Sequence, residues 1–239
     1  RELGDFLQDH LQGAAKERTV VVCATSDAPA LLRMKCPYVA TTIAEVFRDQ
    51  GKRVLLLVDS VTRFARAARE VGLAAGEAPL RRGYPPSAFA ALPGLLERAG
   101  NAAQGSITAF YTVLVEGDDL DEPVSDELRG LLDGHVVLSR KLAARGQHPA
   151  VDVTQSLSRL MPRLVDPQHR AAAELARSHL ALYEEKRDLI LLGAYRSGSD
   201  SRLDAAIARV PEIEAFLVQR EHERADFSET LATLQMLVS

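Results

Sequence analysis

Along the first two thirds of the chain, short apolar runs alternate with longer stretches in which apolar residues recur every three to four positions. Residues 19–25 (TVVVCAT), 54–59 (VLLLVD), 107–115 (ITAFYTVLV) and 135–138 (HVVL) predict strands, because β-branched and aliphatic residues crowd into runs too short for helices. Between them, residues 29–50 predict a helix with Pro29 at its start and Gly51 just past its end. Residues 62–71 predict the next helix. Strands apolar on both faces and separated by helices imply a parallel sheet with helices covering both sides, so the expected class is α/β. Beyond Pro162 the texture changes. Residues 168–192 and 201–217 read as helices, with Leu175, Leu182, Leu189 and Leu192 on one stripe, and no strand-like run follows. The expected organisation is an α/β part over residues 1–164 and a small all-helical domain over 165–239. Residues 194–201 (AYRSGSDS) form a Gly/Ser turn segment long enough to project between the two helices.

Composition adds limits. With 239 residues, 46% of them hydrophobic and 26% charged, the chain can bury a substantial core. A net charge of −4 argues against general nucleic-acid binding, which needs a basic face to neutralise phosphates. No run approaches the length of a membrane span, and RELGDFLQDH lacks the basic-then-apolar order of a signal peptide, so a cytosolic location is expected. Cys23 and Cys36 are the two cysteines; their unlike contexts suggest reduced thiols rather than a disulfide or zinc site. The absence of an initiator Met raises the expectation that the chain begins inside a longer protein.

The run RVLLLVDSVT ends its apolar stretch on Asp59. A carboxylate there has two readings: it caps the next helix, or it holds a magnesium-bound water at the end of a central strand, where α/β proteins bind ligands. A phosphate loop of the form G-x-x-x-x-G-K-[ST] would decide between them, but Gly51-Lys52 is followed by Arg53 and has Val46 where the first glycine belongs. Other chemistries have less support. Gly72/Gly76 and Gly130/Gly134 enclose Ala74 and Leu132 rather than a serine, which excludes a nucleophile elbow. The six histidines form no close ligand pair. The stretch EGDDLDEP, residues 116–123, lacks the ligand spacing of an EF-hand and reads as a solvated loop. Arg140 and Arg159 each end an LSR triplet; each is either a surface ion-pair partner or a planar fork of donors for a phosphate.

The order of segments is more specific than any one of them. RVLLLVDSVTRFARAAREVGLAAGE, RRGYPPSAFAALPGLLERAG, GSITAFYTVLVEGDDLDEP, LDGHVVLSR and HPAVDVTQSLSR together resemble, over essentially the whole chain, the type III export ATPases of flagella and injectisomes. Those enzymes are in turn similar to the catalytic subunits of rotary ATP synthases. The resemblance implies a partial RecA-like core and accounts for the missing loop. In that family the phosphate loop and a GERGRE segment lie upstream, with Arg1-Glu2 resembling the end of that segment, so the N-terminal barrel, the phosphate loop and the catalytic glutamate are expected to be absent.

The resemblance implies ATP and Mg2+ as cofactors. It makes Asp59 the residue that places magnesium through water, and Arg63 a neighbour facing the same nucleotide end. Arg159 matches an arginine finger offered to ATP in the adjacent subunit, which requires a ring, and the family forms homohexamers. His148 stands where the family usually has an aromatic residue against adenine, commonly Tyr; the smaller imidazole implies weaker base stacking. Phe227 is expected to close the other side of that pocket. The acidic loop 116–122 and the Gly/Ser loop 196–201 match regions facing a central stalk, and the lack of acid in the second implies a weaker grip there.

Further implied partners are peripheral stator proteins and chaperone-substrate complexes, at a cytoplasmic position peripheral to the inner membrane. RFARAAREVGLAAGE favours the virulence branch, while EGDDLDEP also suits flagellar export. Three alternatives stand beside this: a rotary synthase subunit, the RNA-translocating hexameric helicase Rho, and a non-catalytic scaffold that binds stalk or chaperone. The isolated chain is expected to be inactive.

Overall fold

The computed structural model describes residues 2–119 and 121–238, without the side chains of Glu2 and Asp118. Arg1, half of the Arg1-Glu2 resemblance, and Leu120 of the acidic loop thus lie outside the described residues, as does Ser239. The chain forms two compact units, one up to Leu131 and one from Leu132 onward.

The first unit runs α1 (Glu2–Asp9), α2 (Ala14–Glu17), α3 (Ala30–Asp49), β1 (Arg53–Val58), α4 (Val61–Ala74), α5 (Pro86–Leu96), β2 (Gly100–Asn101), β3 (Ser106–Tyr111) and α6 (Pro123–Leu131). The sheet order is β1-β3-β2. β1 and β3 are parallel with Leu56 opposite Ala109, and the short β2 is antiparallel to β3. The class is α/β as expected, but the sheet is mixed and its helices cover one face. Ala44 of α3 packs with Leu56 and Ile107 on that face. On the other, Leu55, Leu57 and Phe110 are about 60% exposed.

Two strand expectations change. Residues 19–25 are irregular, with Val20 and Val21 exposed, because among the described residues no strand lies beside them to pair their backbone. The 107–115 run stops as a strand at Tyr111. Beyond it the chain turns its bonds to the start of α4: Val61 N donates to Thr112 O at 3.0 Å, and Leu114 N to Thr62 Oγ1 at 2.8 Å.

α4 shows how its sequence sets its orientation. Val61, Phe64, Ala65, Ala67 and Ala68 are buried, whereas Arg63, Arg66 and Glu70 lie on the solvent side. The Tyr38 ring of α3 meets Phe64 edge-on at 5.6 Å. Gly105, in the turn before β3, is obligatory. It has φ +72°, and an added Cβ would sit 2.3 Å from Arg48 O and 2.5 Å from Lys52 O.

The second unit comprises β4 (Gly134–Leu138), α7 (Arg140–Ala144), β5 (Val151–Ser158), α8 (Met161–Leu164), α9 (Pro167–Leu191), α10 (Ser201–Phe216) and α11 (Phe227–Val238). β4 pairs antiparallel with β5, a strand the periodicity did not mark. Asp166 caps α9 by accepting from His169 N at 2.8 Å, with Pro167 at the first helical position. The leucine stripe is not the packed face of α9. Leu175, Leu189 and Leu192 are exposed, and the buried positions are Ala172 and Ala176, with Leu203, Ala206, Val210 and Ile213 of α10. Small side chains let the two backbones approach, which a row of leucines would prevent.

Candidate functional site

In the first unit, the apolar strand β1 delivers Asp59 to the carboxyl edge of the sheet, and the turn that follows reverses the chain directly into α4. Ser60, 4% exposed, is the N-cap of α4: its hydroxyl accepts from Arg63 N at 3.3 Å. The cap reading therefore belongs to Ser60, which frees Asp59 from that duty. The Asp59 side chain is exposed, and its Oδ1 lies 3.0 Å from the Thr112 hydroxyl.

Arg63, one turn on, donates from Nη1 to Ser26 Oγ at 3.1 Å. Arg33 Nε donates to Ala28 O at 2.9 Å, so two arginines hold the loop 26–28. Asp59 and Arg63 thus lie one helical turn apart, with the Arg63 guanidinium directed to Ser26. Thr112 and the 26–28 loop escaped the sequence reading, because only the register of β3 against β1 and the path after residue 25 bring them here.

Among the described residues no group of three or more His, Cys, Asp or Glu could hold a metal ion. Magnesium keeps most of its waters and takes one or two carboxylates plus substrate phosphates. Asp59 is such a single, accessible carboxylate.

The acidic loop is not simply solvated. Arg66 of α4 donates to Glu116 at 2.7 Å, Arg82 to Asp119 at 2.8 Å and Arg129 of α6 to Asp121 at 3.2 Å. The Arg82 guanidinium holds the Asp119 carboxyl below its ordinary value, with the Asp121 amide helping. A cavity of about 310 Å³ opens here, lined among others by Arg66, Arg69, Arg82, Tyr84, Glu116 and Glu122. The Arg69 guanidinium lies 5.3 Å above the Tyr84 ring.

In the second unit, Arg159 directly follows β5. Its backbone N–H donates to Asp133 O at 2.8 Å, and its side chain is exposed. Close pairing makes this possible: a Cβ on Gly134 would lie 2.3 Å from Leu157 O. Arg177 of α9 reinforces β5 by donating to Ser156 O at 3.0 Å. Arg140 begins α7, just after its cap Ser139.

His148 is exposed and precedes Pro149 through a cis bond; its carbonyl accepts from Gln219 N at 2.8 Å. Phe227 opens α11 and is 71% exposed, with its ring edge-on to His169 of α9 at 6.0 Å. The structure pairs Phe227 with His169, and among the described residues no ring contact joins it to His148. The packing of α11 on α9 decides this. The Gly/Ser loop is drawn around one carboxylate. Asp204 accepts from Gly198 N at 2.8 Å, Tyr195 Oη at 2.9 Å and Ser197 Oγ at 3.3 Å, donors that lower its pKa, the Gly198 amide most.

No helix among the described residues is long and apolar enough to cross a membrane. The chain is 55% identical over 237 residues to the flagellum-specific ATP synthase of Treponema pallidum, covering 99% of this chain and 53% of that protein. It is 54% identical over 239 residues to the type 3 secretion system ATPase of Sinorhizobium fredii, covering 100% and 53%. It therefore spans about half the length of the curated relatives it matches. Its fold matches the assembled ATPase EscN from the enteropathogenic E. coli type III secretion system with TM-score 0.96 and 48% identity, over 100% of this chain and 58% of that one. The model of the ATP synthase alpha/beta family, nucleotide-binding domain, matches residues 1–158, and that of the T3SS EscN ATPase C-terminal domain matches 165–236. An Asp-ended strand, an arginine after β5 and a helical C-terminal part thus occur together in a chain that belongs to the ATP synthase alpha/beta family and is similar to type III secretion and flagellar ATPases.

Proposed function

We propose that the protein to which this chain belongs hydrolyses ATP as a homohexamer to power type III protein export, releasing chaperones from exported proteins and unfolding them, in the injectisome branch. The observation that carries this is the succession on one chain of a nucleotide-binding domain match at 1–158 and a secretion-type C-terminal domain match at 165–236. The second match separates the chain from rotary synthase subunits and from Rho, and it supports a division into an ATPase domain to residue 164 and a helical domain from 165. The assembled and stalk-bound forms of EscN support a ring and a central stalk as partners. Stator proteins, chaperone-substrate complexes and a cytoplasmic place at the inner membrane complete the proposal.

Bound Mg2+ would withdraw charge from the phosphates of ATP. Asp59 would hold the ion through a water, and Arg63 would steady the same turn through Ser26. Arg159 would reach the nucleotide of the adjacent subunit, where charge-assisted donors to the γ-phosphate are worth roughly a thousandfold or more in rate. His148 would line the adenine side, and Phe227 would reach that pocket only by leaving His169.

In the full-length protein, Arg159→Ala is expected to lower turnover by about a thousandfold while leaving nucleotide affinity within a few-fold. Mixed with Asp59→Ala subunits it should regain part of the rate, since some interfaces then combine an intact Arg159 with an intact Asp59. Normal turnover by Arg159→Ala would refute the finger. A flagellar role is the second reading, because identity to the Treponema pallidum protein is as high as to the secretion ATPases. Restored motility in an export-deficient flagellar strain, without restored effector secretion in an injectisome strain, would select it.

A further inference from the structure

Thr112 is the first residue past β3, and the parallel register of β3 with β1 sets it beside the end of the strand that carries Asp59. Its backbone is tied on both sides of that residue. The Thr112 amide donates to Val58 O and its carbonyl accepts from Val61 N, both at 3.0 Å. Its hydroxyl oxygen lies 3.0 Å from two acceptors, Val58 O and Asp59 Oδ1. A hydroxyl has one proton to donate, and Val58 O already receives the Thr112 amide. An ionised carboxylate is also the stronger acceptor, so the proton goes to Asp59 Oδ1. Among the described residues Asp59 Oδ2 has no hydrogen-bond partner.

Taking Asp59 as the magnesium-side carboxylate of the function proposed above, we propose that Thr112 is a positioning residue for it. The hydroxyl secures one carboxylate oxygen and thereby leaves the other for a metal-bound water. A carboxylate that holds a metal depends on such outer partners: without them it samples other rotamers, and metal affinity falls roughly 10- to 100-fold. Val58, Val61 and Thr112 fix each other through the backbone, so the hydroxyl is held at this place by bonds that do not involve Asp59. Thr112 is also exposed, so replacing its hydroxyl with a methyl group perturbs no core.

The test uses full-length protein with saturating ADP and Mn2+ as the metal probe, its affinity read by electron paramagnetic resonance. Thr112→Val is expected to weaken Mn2+ about 10-fold with ADP affinity in excess metal little changed. Thr112→Ser, which restores the donor, should return Mn2+ affinity to within about twofold of wild type. Wild-type Mn2+ affinity in Thr112→Val would overturn the assignment, as would a Thr112→Ser protein as weak as Thr112→Val. Asp59→Asn separates the two layers: unchanged Mn2+ affinity there would remove Asp59 from the metal site, and the role of Thr112 with it.

Discussion

Asp59 and Arg159 both stand just past the end of a strand, and a different contact roots each of them. The Asp59 side chain is gripped: Thr112 bonds its carboxylate, and the next residue, Ser60, is a buried helix cap. Arg159 is held by its backbone, through Asp133 O and the tight β4/β5 pairing behind it, while its guanidinium stays at the surface. The difference matches what each is proposed to do. A metal-side carboxylate gains from a fixed rotamer, whereas a residue that must meet a phosphate in another subunit needs a firmly rooted backbone and an exposed side chain.

That contrast can be broken first at Gly134. A Cβ there would lie 2.3 Å from Leu157 O, so Gly134→Ala must part the strands just before Arg159. Turnover of the full-length protein is expected to fall about 100-fold, as for a displacement near 1 Å, while Mn2+ and ADP affinity stay near wild type. An equal loss of Mn2+ affinity would show that the two residues are not rooted separately.

A smaller effect is expected at the other root. Ser60→Ala removes the cap of α4 and should cost about 1 kcal/mol in urea unfolding, with Arg63 and Asp59 loosened together. Unchanged stability would mean that the cap does not secure the turn.

The smallest effect concerns the Gly/Ser loop, which a single carboxylate organises. The Asp204 pKa is lowered from its ordinary 3.8, so the hold on the loop is complete above that value and is lost as pH falls through the lowered one. The Gly198 amide shift, followed by NMR, should stay flat above the ordinary value and move only below it. In Asp204→Asn it should show no such step.

Legibility differed from element to element. α3, α4, α9 and α10 could be read because helix periodicity is local, and β1 because an unbroken run of five aliphatic residues is too short for a helix and fits a strand. Residues 19–25 met the same criterion and did not become a strand. An apolar run records a need for burial and for backbone partners without naming who supplies them. β5 went unread because its later half, TQSLS, is polar apart from Leu157 and becomes regular only through its pairing with β4. The leucine stripe of α9 had the correct period on a face other than the buried one, since alanines allow the closer approach.

The site divided along the same line. Asp59, Arg63, Arg159, His148 and Phe227 could be singled out by motif order, but not their partners. Thr112, Ser26, Asp133 and His169 lie 53, 37, 26 and 58 residues from the groups they touch. By itself the sequence determined where the long helices lie and that β1 runs into Asp59, because these depend on neighbours along the chain. Which oxygen of Asp59 is taken, which ring Phe227 meets and which loops the arginines clasp was decided only by tertiary structure. Register and packing choose among distant residues whose spacing in the chain carries no trace of the contact.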